Sequence, residues 1–174
     1  MTVDQIRFEA LRNAIYHGTR KAFLGGANRW LSFIIIIFGA AAIGDLSKWL
    51  HVGNQTVFAA IATAAATLQL VFDFGGRAAL HDYLQRRYYE LIADIVDNPG
   101  EEHAVKWEAR LIRLYADEPT PMRALDAIAR NAAVEALGYK QSDRVRVTWC
   151  QSLLSQVWPF NESDFPNIEP QAST

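Results

Sequence analysis

The stretches WLSFIIIIFGAAAIG (Trp30–Gly44) and WLHVGNQTVFAAIATAAATLQLVF (Trp49–Phe72) decide the fold, because neither contains Asp, Glu, Lys or Arg. Only the four residues from Asp45 to Lys48 separate them. A helix on the surface of a water-soluble protein carries a polar, usually charged face. Two adjacent apolar helices with a short connection predict a transmembrane hairpin.

The helix lengths agree with a bilayer core of about 30 Å. At 1.5 Å per residue, a first helix from Trp30 to Trp49 covers about 28 Å, and a second from Thr56 to about Phe74 covers about 27 Å. Tryptophan favours the headgroup level, and the long stems of basic residues reach it from a helix end. These preferences predict the membrane-interface anchors Arg29, Trp30, Lys48, Trp49 and Arg77.

Two alternative interpretations of these stretches are a signal peptide and a buried helix of a soluble bundle. Ala40-Ala41-Ala42 resembles the small-residue cleavage site of a signal peptide, although the preceding region is long and contains Asp4 and Glu9. The second stretch is rich in alanine and contains Thr56, so it could instead be a buried helix of a soluble bundle.

Basic residues are distributed unevenly around the hairpin. Arg7, Arg12, Arg20, Lys21 and Arg29 precede it, Arg77, Arg86 and Arg87 follow it, and its loop has only Lys48. Because basic residues remain on the cytoplasmic side, both termini are predicted to be cytoplasmic. A net charge of −2 gives no argument for binding nucleic acid. The single cysteine, Cys150, excludes an intrachain disulfide.

The whole pattern predicts an all-α fold: a two-helix transmembrane hairpin with cytoplasmic helical extensions and a small C-terminal helical bundle. The predicted segments are an N-terminal cytoplasmic amphipathic helix within 1–29, the hairpin 30–74, a juxtamembrane helix 75–98, a cytoplasmic helical bundle 99–158 and a disordered tail 159–174.

Two apolar stripes are predicted to pair as an antiparallel coil next to the membrane. The first lies on a helix over residues 4–24 that is expected to kink or break at Gly25-Gly26. The second continues from the second membrane helix through Gly75-Gly76. The stripe residues are Phe8, Leu11, Ile15 and Ala22, and Leu80, Leu84, Tyr88, Leu91 and Ile95.

Three further helices are predicted after Asn98-Pro99-Gly100. The first, over Glu101–Ala116, has an apolar stripe, and the second begins with Thr120 as N-cap and Pro121 at N1 and ends at Gly138. The third, over Ser142–Trp158, could pack on the bundle or lie on the membrane surface. The stripe of the first contains Ala104, Trp107, Leu111 and Leu114.

No enzyme motif is present, so the sequence predicts no catalytic residue, no metal site and no cofactor. His81-Asp82 could suggest half of a catalytic pair, but adjacent residues on a helix do not face each other, which favours a structural role. An acidic group could suggest a cation site, but it straddles a helix break and favours a solvated surface. The group consists of Asp94, Asp97, Glu101 and Glu102.

The second membrane helix has two small or polar faces. At 100° per residue, one contains Thr56, Ala60, Thr63 and Thr67, and another contains Ala59, Ala62, Ala66, Gln69 and Asp73. Small side chains permit close helix packing, either within the hairpin or between copies. The alternative is a polar path lined by these threonines, with Gln69 and Asp73 near its cytoplasmic mouth. A two-helix hairpin cannot enclose a pore, so conduction requires a homo-oligomer.

The order of these features resembles that of SLATT-type two-transmembrane proteins of bacteria, over about residues 5–158. The residues that carry the resemblance lie before, within and after the hairpin. They are Tyr16-His17 with Arg20, Asn28-Arg29-Trp30, Leu70-Val71-Phe72-Asp73 with Arg77, Leu80-His81, Arg86-Arg87-Tyr88, Leu91, Ala116-Asp117-Glu118-Pro119, Arg123-Ala124-Leu125-Asp126 and Asn131.

The resemblance implies a pore-forming or membrane-perturbing effector of a bacterial conflict system, located in the inner membrane. Its trigger is then expected to come from a cytoplasmic sensor or from the helical bundle. The expected partners are membrane lipids and further copies of the chain. The alternative is a non-catalytic scaffold or accessory subunit of a larger membrane complex.

Overall fold

The computed structural model describes residues 1–43 and 55–168, and over these ranges the predicted all-α fold is confirmed. Short 3₁₀ turns lie at Glu101–His103 and Gln141–Asp143. The predicted hairpin loop, with Lys48 and Trp49, lies outside the described residues. The helices are α1 (Val3–Ile43), α2 (Gln55–Phe72), α3 (Phe74–Asp97), α4 (Ala104–Ala116), α5 (Arg123–Ala136) and α6 (Trp149–Leu154).

The chain divides into two compact units. The bundle unit consists of Met1–Arg20 and the chain from His81 onward. The hairpin unit consists of Lys21–Leu80. Both α1 and α3 therefore contribute residues to both units.

The predicted break at Gly25-Gly26 is wrong, because α1 continues through both glycines as one helix of 41 residues. A glycine inside a helix costs about 1 kcal/mol relative to alanine, which is little beside the cooperative gain of continuing a helix that is already formed. A Cβ added at either glycine would meet nothing within 4 Å. The glycines are therefore not required for a close approach of another segment.

The core of the bundle unit is formed by one stripe on each of α1, α3 and α4. Each stripe follows the three- and four-residue spacing of a helix face. The α4 stripe is as predicted, and it packs against the other two. The core residues are Val3, Ile6, Ala10 and Ala14 from α1, Tyr88, Leu91 and Ile95 from α3, and Ala104, Trp107, Leu111 and Leu114 from α4.

The predicted pairing of the two stripes needs correction on both helices. Ala22 and Leu80 are exposed, whereas His81 is buried in line with Leu84. Phe8, Leu11 and Ile15 are only half-buried, because they lie on a second side of α1 that faces other elements. On that side Ile15 packs against Leu125 and Ala129, and the Phe8 ring lies 5.7 Å from the Tyr139 ring.

The end of α5 is as predicted and its start is not. Gly138 has a φ of +70°, the N–H of Gly138 donates to the carbonyl of Glu135, and the N–H of Tyr139 donates to that of Val134. This bonding pattern is a Schellman motif, which favours glycine at this position. The predicted capping by Thr120 is wrong, since α5 begins at Arg123 after Met122, and the Met122 N–H donates to the Tyr16 hydroxyl instead.

The C-terminal part departs most from prediction. The expected helix over Ser142–Trp158 is reduced to α6, where Thr148 and Gln151 form a reciprocal capping box. Residues 161–168, predicted to be disordered, are held by backbone hydrogen bonds from Arg146 to Pro166 and from Ile168 to Arg144, both 2.8 Å. Bonding between segments distant in sequence has no local signature, which explains why the pattern missed it.

The predicted acidic group is dispersed by the fold. Asp94 pairs with Arg110, and Glu101 accepts a hydrogen bond of 3.0 Å from the N–H of Val3 at the start of α1. A carboxylate at a helix N-terminus satisfies an otherwise unpaired donor. No metal-binding group of His, Cys, Asp and Glu exists among the residues that the structure describes.

Within the hairpin unit, α1 and α2 run antiparallel. The Phe38 ring lies 5.9 Å from the Phe58 ring, while Ser32 and Asn28 meet Gln69 at the other end of the contact. Ala65, buried on α2, lies on the same face as Phe58. The hairpin prediction is thus confirmed for the described parts of both helices.

We expect replacement of Gly25 and Gly26 by alanine to stabilise the protein by about 0.5–1 kcal/mol each, because alanine restricts the unfolded chain and a Cβ fits both sites. Thermal unfolding in detergent micelles measures the change. Gly138→Ala is the opposing control, with an expected loss of about 1 kcal/mol from its positive φ. Destabilisation by the Gly25 and Gly26 substitutions would contradict an unbroken helix at these positions.

Candidate functional site

The hairpin unit presents an apolar surface that residues 1–43 and 55–168 do not cover. Two helical runs, Val3–Ile43 and Gln55–Asp97, are long and apolar enough to cross a membrane, and only 6% and 11% of their most apolar windows are buried. The second stretch is therefore not a helix buried within this chain's own bundle. The large exposed apolar side chains among the described residues of the unit are Phe23, Trp30, Phe33, Ile36, Ile37, Ile43, Val57, Ile61, Leu68, Leu70, Val71, Phe72 and Leu80.

The first predicted face of α2 points away from α1. Thr56, Ala60, Thr63 and Thr67 are all exposed, whereas Ala65 is buried against α1. Thr63 and Ala65 are two positions apart, which corresponds to a rotation of about 200° around the helix. The threonine face is therefore outside the intrachain helix contact.

The threonine hydroxyls bond to their own helix. Thr63 Oγ1 donates to the Ala59 carbonyl and Thr67 Oγ1 donates to the Thr63 carbonyl, each at 2.8 Å. A bonded hydroxyl costs less to place in lipid than an unbonded one, because its donor is satisfied. The face is consequently compatible with contact to lipid, to another helix or to water.

Gln69 lies inside the hairpin contact, on the opposite side of α2 from this face. Its Nε2 donates to Asn28 Oδ1 at 2.8 Å and to Ser32 Oγ at 3.0 Å. The Gln69 side chain is half-buried by these contacts. The amide thus joins α1 and α2, as the packing alternative predicted, and the structure does not bring it to the threonine face.

Asp73 ends α2 and begins α3. It has a φ of +43°, and its Oδ1 accepts a hydrogen bond of 3.0 Å from the N–H of Gly76. This is the bond that an N-cap carboxylate makes in the first turn of a helix. Asp73 is also exposed, so capping α3 and facing solvent are both open to it.

The predicted interface anchors are exposed where the structure describes them. Arg29, Trp30 and Arg77 all have exposed side chains, and the Trp30 ring contacts the Phe33 ring edge-on at 5.8 Å. Lys48 and Trp49 lie outside the described residues. The exposure of an indole and two guanidinium groups fits contact with a headgroup layer.

A buried polar network in the bundle unit was not predicted. His17 Nδ1 lies 2.7 Å from His81 Nδ1, and His17 Nε2 lies 3.1 Å from Glu118 Oε1. The Tyr88 hydroxyl donates to the same carboxylate oxygen, and its ring stacks on His17 at 5.6 Å. Burial and the nearby Glu118 carboxylate raise the pKa of Tyr88 well above its usual range, so this hydroxyl remains a donor.

The geometry limits the protons in this network. At 2.7 Å, the two Nδ1 atoms can share one proton only, because two facing N–H groups would repel each other. When Glu118 is ionised, His17 Nε2 donates to it. The network thereby links α1, α3 and the segment between α4 and α5 through a buried chain of hydrogen bonds.

A periodicity signal for this network was present in the sequence. His81 precedes Leu84 and Tyr88 at three- and seven-residue spacing, and His17 follows Ala10 and Ala14 in the same way. Counting histidine as a possible core residue would have placed both on the buried stripes. The pairing of His17 with Glu118 depends on a contact between segments 101 residues apart, which spacing does not reveal.

Comparison of the chain with protein-family models, with curated proteins and with solved structures gives no match.

We expect Gln69→Leu to destabilise the hairpin by about 0.6–1.7 kcal/mol, the range for polar contacts between membrane helices, because Asn28 and Ser32 lose their donor. Unfolding in mixed detergent micelles measures the free-energy change. Thr63→Val on the exposed face is the matched control and should change stability by less than about 0.5 kcal/mol. Equal effects would remove Gln69 from the helix contact.

We expect Glu118→Ala to lower the free energy of unfolding by about 1–3 kcal/mol, because His17 and Tyr88 lose a buried acceptor. Tyr88→Phe, which removes one donor, should cost less. Glu108→Ala is the control, since that carboxylate pairs with the chain's amino group at the surface and should contribute about 0–1 kcal/mol. Urea unfolding followed by far-UV circular dichroism compares them. A loss for Glu118→Ala no larger than the control's would contradict the network.

Proposed function

We propose that the protein is an integral membrane protein that self-assembles through its hairpin and acts as a pore-forming or membrane-perturbing effector. The observation that carries the proposal is the uncovered apolar surface of the hairpin unit. A monomeric soluble protein does not expose apolar surface of this extent, because its transfer from water is strongly favourable. Lipid chains and further copies of the chain are the coverings that fit it.

The distribution of basic residues supports an orientation with both termini in the cytoplasm. Five basic residues precede the hairpin, whereas its loop has only Lys48. The resemblance to SLATT-type proteins supports the bacterial inner membrane as the location and conflict systems as the setting. It also supports a trigger from a cytoplasmic sensor or from the bundle unit.

Assembly is proposed to use the threonine face of α2. This face is exposed, lies outside the α1–α2 contact and contains side chains small enough for close helix packing. Several copies arranged with this face inward would enclose a path that a single hairpin cannot. The threonine oxygens would then line the path.

Leakage of a dye from liposomes that contain the purified protein tests this proposal. We expect leakage to rise more steeply than in proportion to the protein-to-lipid ratio, because several copies must assemble. Thr63→Leu combined with Thr67→Leu should lower leakage about tenfold, which corresponds to about 1.4 kcal/mol in the assembly equilibrium. The matched control exchanges two apolar residues on another exposed side of α2, Ile61→Leu with Leu68→Ile.

Two outcomes would contradict the proposal. Unchanged leakage in the double threonine variant would exclude the threonine face as the lining. Absence of leakage from a preparation that is oligomeric by mass in native detergent would exclude a pore. A stable complex with a different protein, recovered with no oligomer of this chain, would instead favour the scaffold alternative.

A further inference from the structure

The segment around α6 contains the longest uncharged stretch of the bundle unit's C-terminal part. Residues 147–161 include no Asp, Glu, Lys or Arg over 15 positions, and their polar residues are Thr, Gln, Ser and Asn. Most surface segments of soluble proteins carry charges, since these keep the surface hydrated. The absence of charge is the first indication that this segment does not face bulk water.

One side of this segment is fixed to the bundle unit. The Arg20 guanidinium donates to the Gln156 carbonyl, and it also donates to Gln156 Oε1 at 3.1 Å. The Arg123 N–H donates to the Pro159 carbonyl at 3.2 Å, and Ser155 is buried. These contacts therefore hold one side of the segment against the rest of the bundle unit.

The other side is apolar and exposed. Trp149 is 76% exposed and Trp158 63% exposed, and Leu153, Leu154 and Val157 are exposed between them. Trp149 and Leu153 are four residues apart on α6, as are Cys150 and Leu154, so both pairs lie on adjoining parts of one surface. We define this surface, Trp149, Leu153, Leu154, Val157 and Trp158, as the aromatic patch.

We propose that the aromatic patch inserts into the interfacial layer of the bilayer in which the hairpin is embedded. Tryptophan at both ends matches the preference of indole for the boundary between headgroups and acyl chains. Neutral polar residues on the same segment can hydrogen-bond to headgroups and carry no charge to be desolvated. The proposal rests on the membrane location of the hairpin and is independent of pore formation.

The covalent connection to the hairpin favours contact between the aromatic patch and the bilayer. The patch and the hairpin belong to one covalent chain, so insertion of the patch is an intramolecular event with a high effective concentration. Because the segment is uncharged, the contact should not require anionic lipid. Zwitterionic phosphatidylcholine is therefore a sufficient probe.

The only cysteine of the chain, Cys150, lies beside the patch and is exposed, which supplies a reporter without a new cysteine. A nitroxide on Cys150 of the full chain in phosphatidylcholine nanodiscs reports its collisions with oxygen, which concentrates in lipid, and with a water-soluble nickel chelate. We expect high oxygen and low nickel accessibility. Trp149→Ser with Trp158→Ser should shift the label to the pattern of a water-exposed site.

The matched control replaces two exposed apolar residues elsewhere in the bundle unit, Val105→Ser with Ile112→Ser, which are 80% and 58% exposed. The label pattern should not change in this variant. Co-elution of each variant with the nanodisc tests the hairpin separately, so loss of membrane location is distinguished from loss of the patch contact. Circular dichroism verifies that both variants remain folded.

A water-exposed label in the unsubstituted protein would overturn the proposal. Low accessibility to both oxygen and nickel would also overturn it, because that pattern means contact with protein, and its loss on dilution would identify a second copy. A second measurement avoids the label. The background Trp30→Phe with Trp49→Phe retains Trp149, Trp158 and the buried Trp107. Brominated phosphatidylcholine should quench the part of the fluorescence that is lost when Trp149→Ser and Trp158→Ser are added, and it should leave the Trp107 part unquenched. Unquenched fluorescence would contradict insertion independently of the nitroxide.

Discussion

The apolar surface of the hairpin unit is the constraint on which the rest of the structure depends. Helices are the structures that satisfy their own backbone hydrogen bonds without water, so a surface of this kind is compatible with lipid only in helical form. The unbroken helix through Gly25-Gly26 and the direct continuation from α2 to α3 at Asp73 follow this rule. Asp73, between α2 and α3, accepts a hydrogen bond from the Gly76 N–H.

Patterns that depend on local spacing were predictable from the sequence. The charge-free stretches predicted the hairpin, the α4 stripe predicted its buried face, and Gly138 predicted the end of α5. Each of these signals lies within one continuous segment of the chain. A periodic apolar stripe or a glycine with positive φ therefore needs no knowledge of the partner segment.

Features that depend on a distant partner were not predictable. The start of α5 uses the Tyr16 hydroxyl from α1 rather than the side chain of Thr120. Residues 161–168 have the composition of a polar tail, and nothing in their own sequence indicates that the segment near Val145 holds them. The α1 stripe was placed on the wrong side because α1 is packed on two sides, and periodicity alone does not rank them.

The candidate site shows the same division. Spacing predicted that Thr63 and Thr67 share a face, but it could not separate the side of α2 that meets α1 from the side that does not. Packing against α1 assigned Gln69 to the hairpin contact and left the threonines outside it. The two polar faces of α2 look alike in the sequence, but one packs against α1 and the other is exposed.

The hydrogen bonds of the threonine hydroxyls determine which ions an assembled path would favour. The hydroxyl protons of Thr63 and Thr67 are donated to carbonyls of their own helix, so the oxygen lone pairs are what each threonine offers outward. A ring of such oxygens resembles the acceptor surfaces that replace water around cations, whereas anions need donors. Since Gln69 donates within the hairpin, its amide is not a donor on the threonine face. A path built on this face would therefore favour cations over anions.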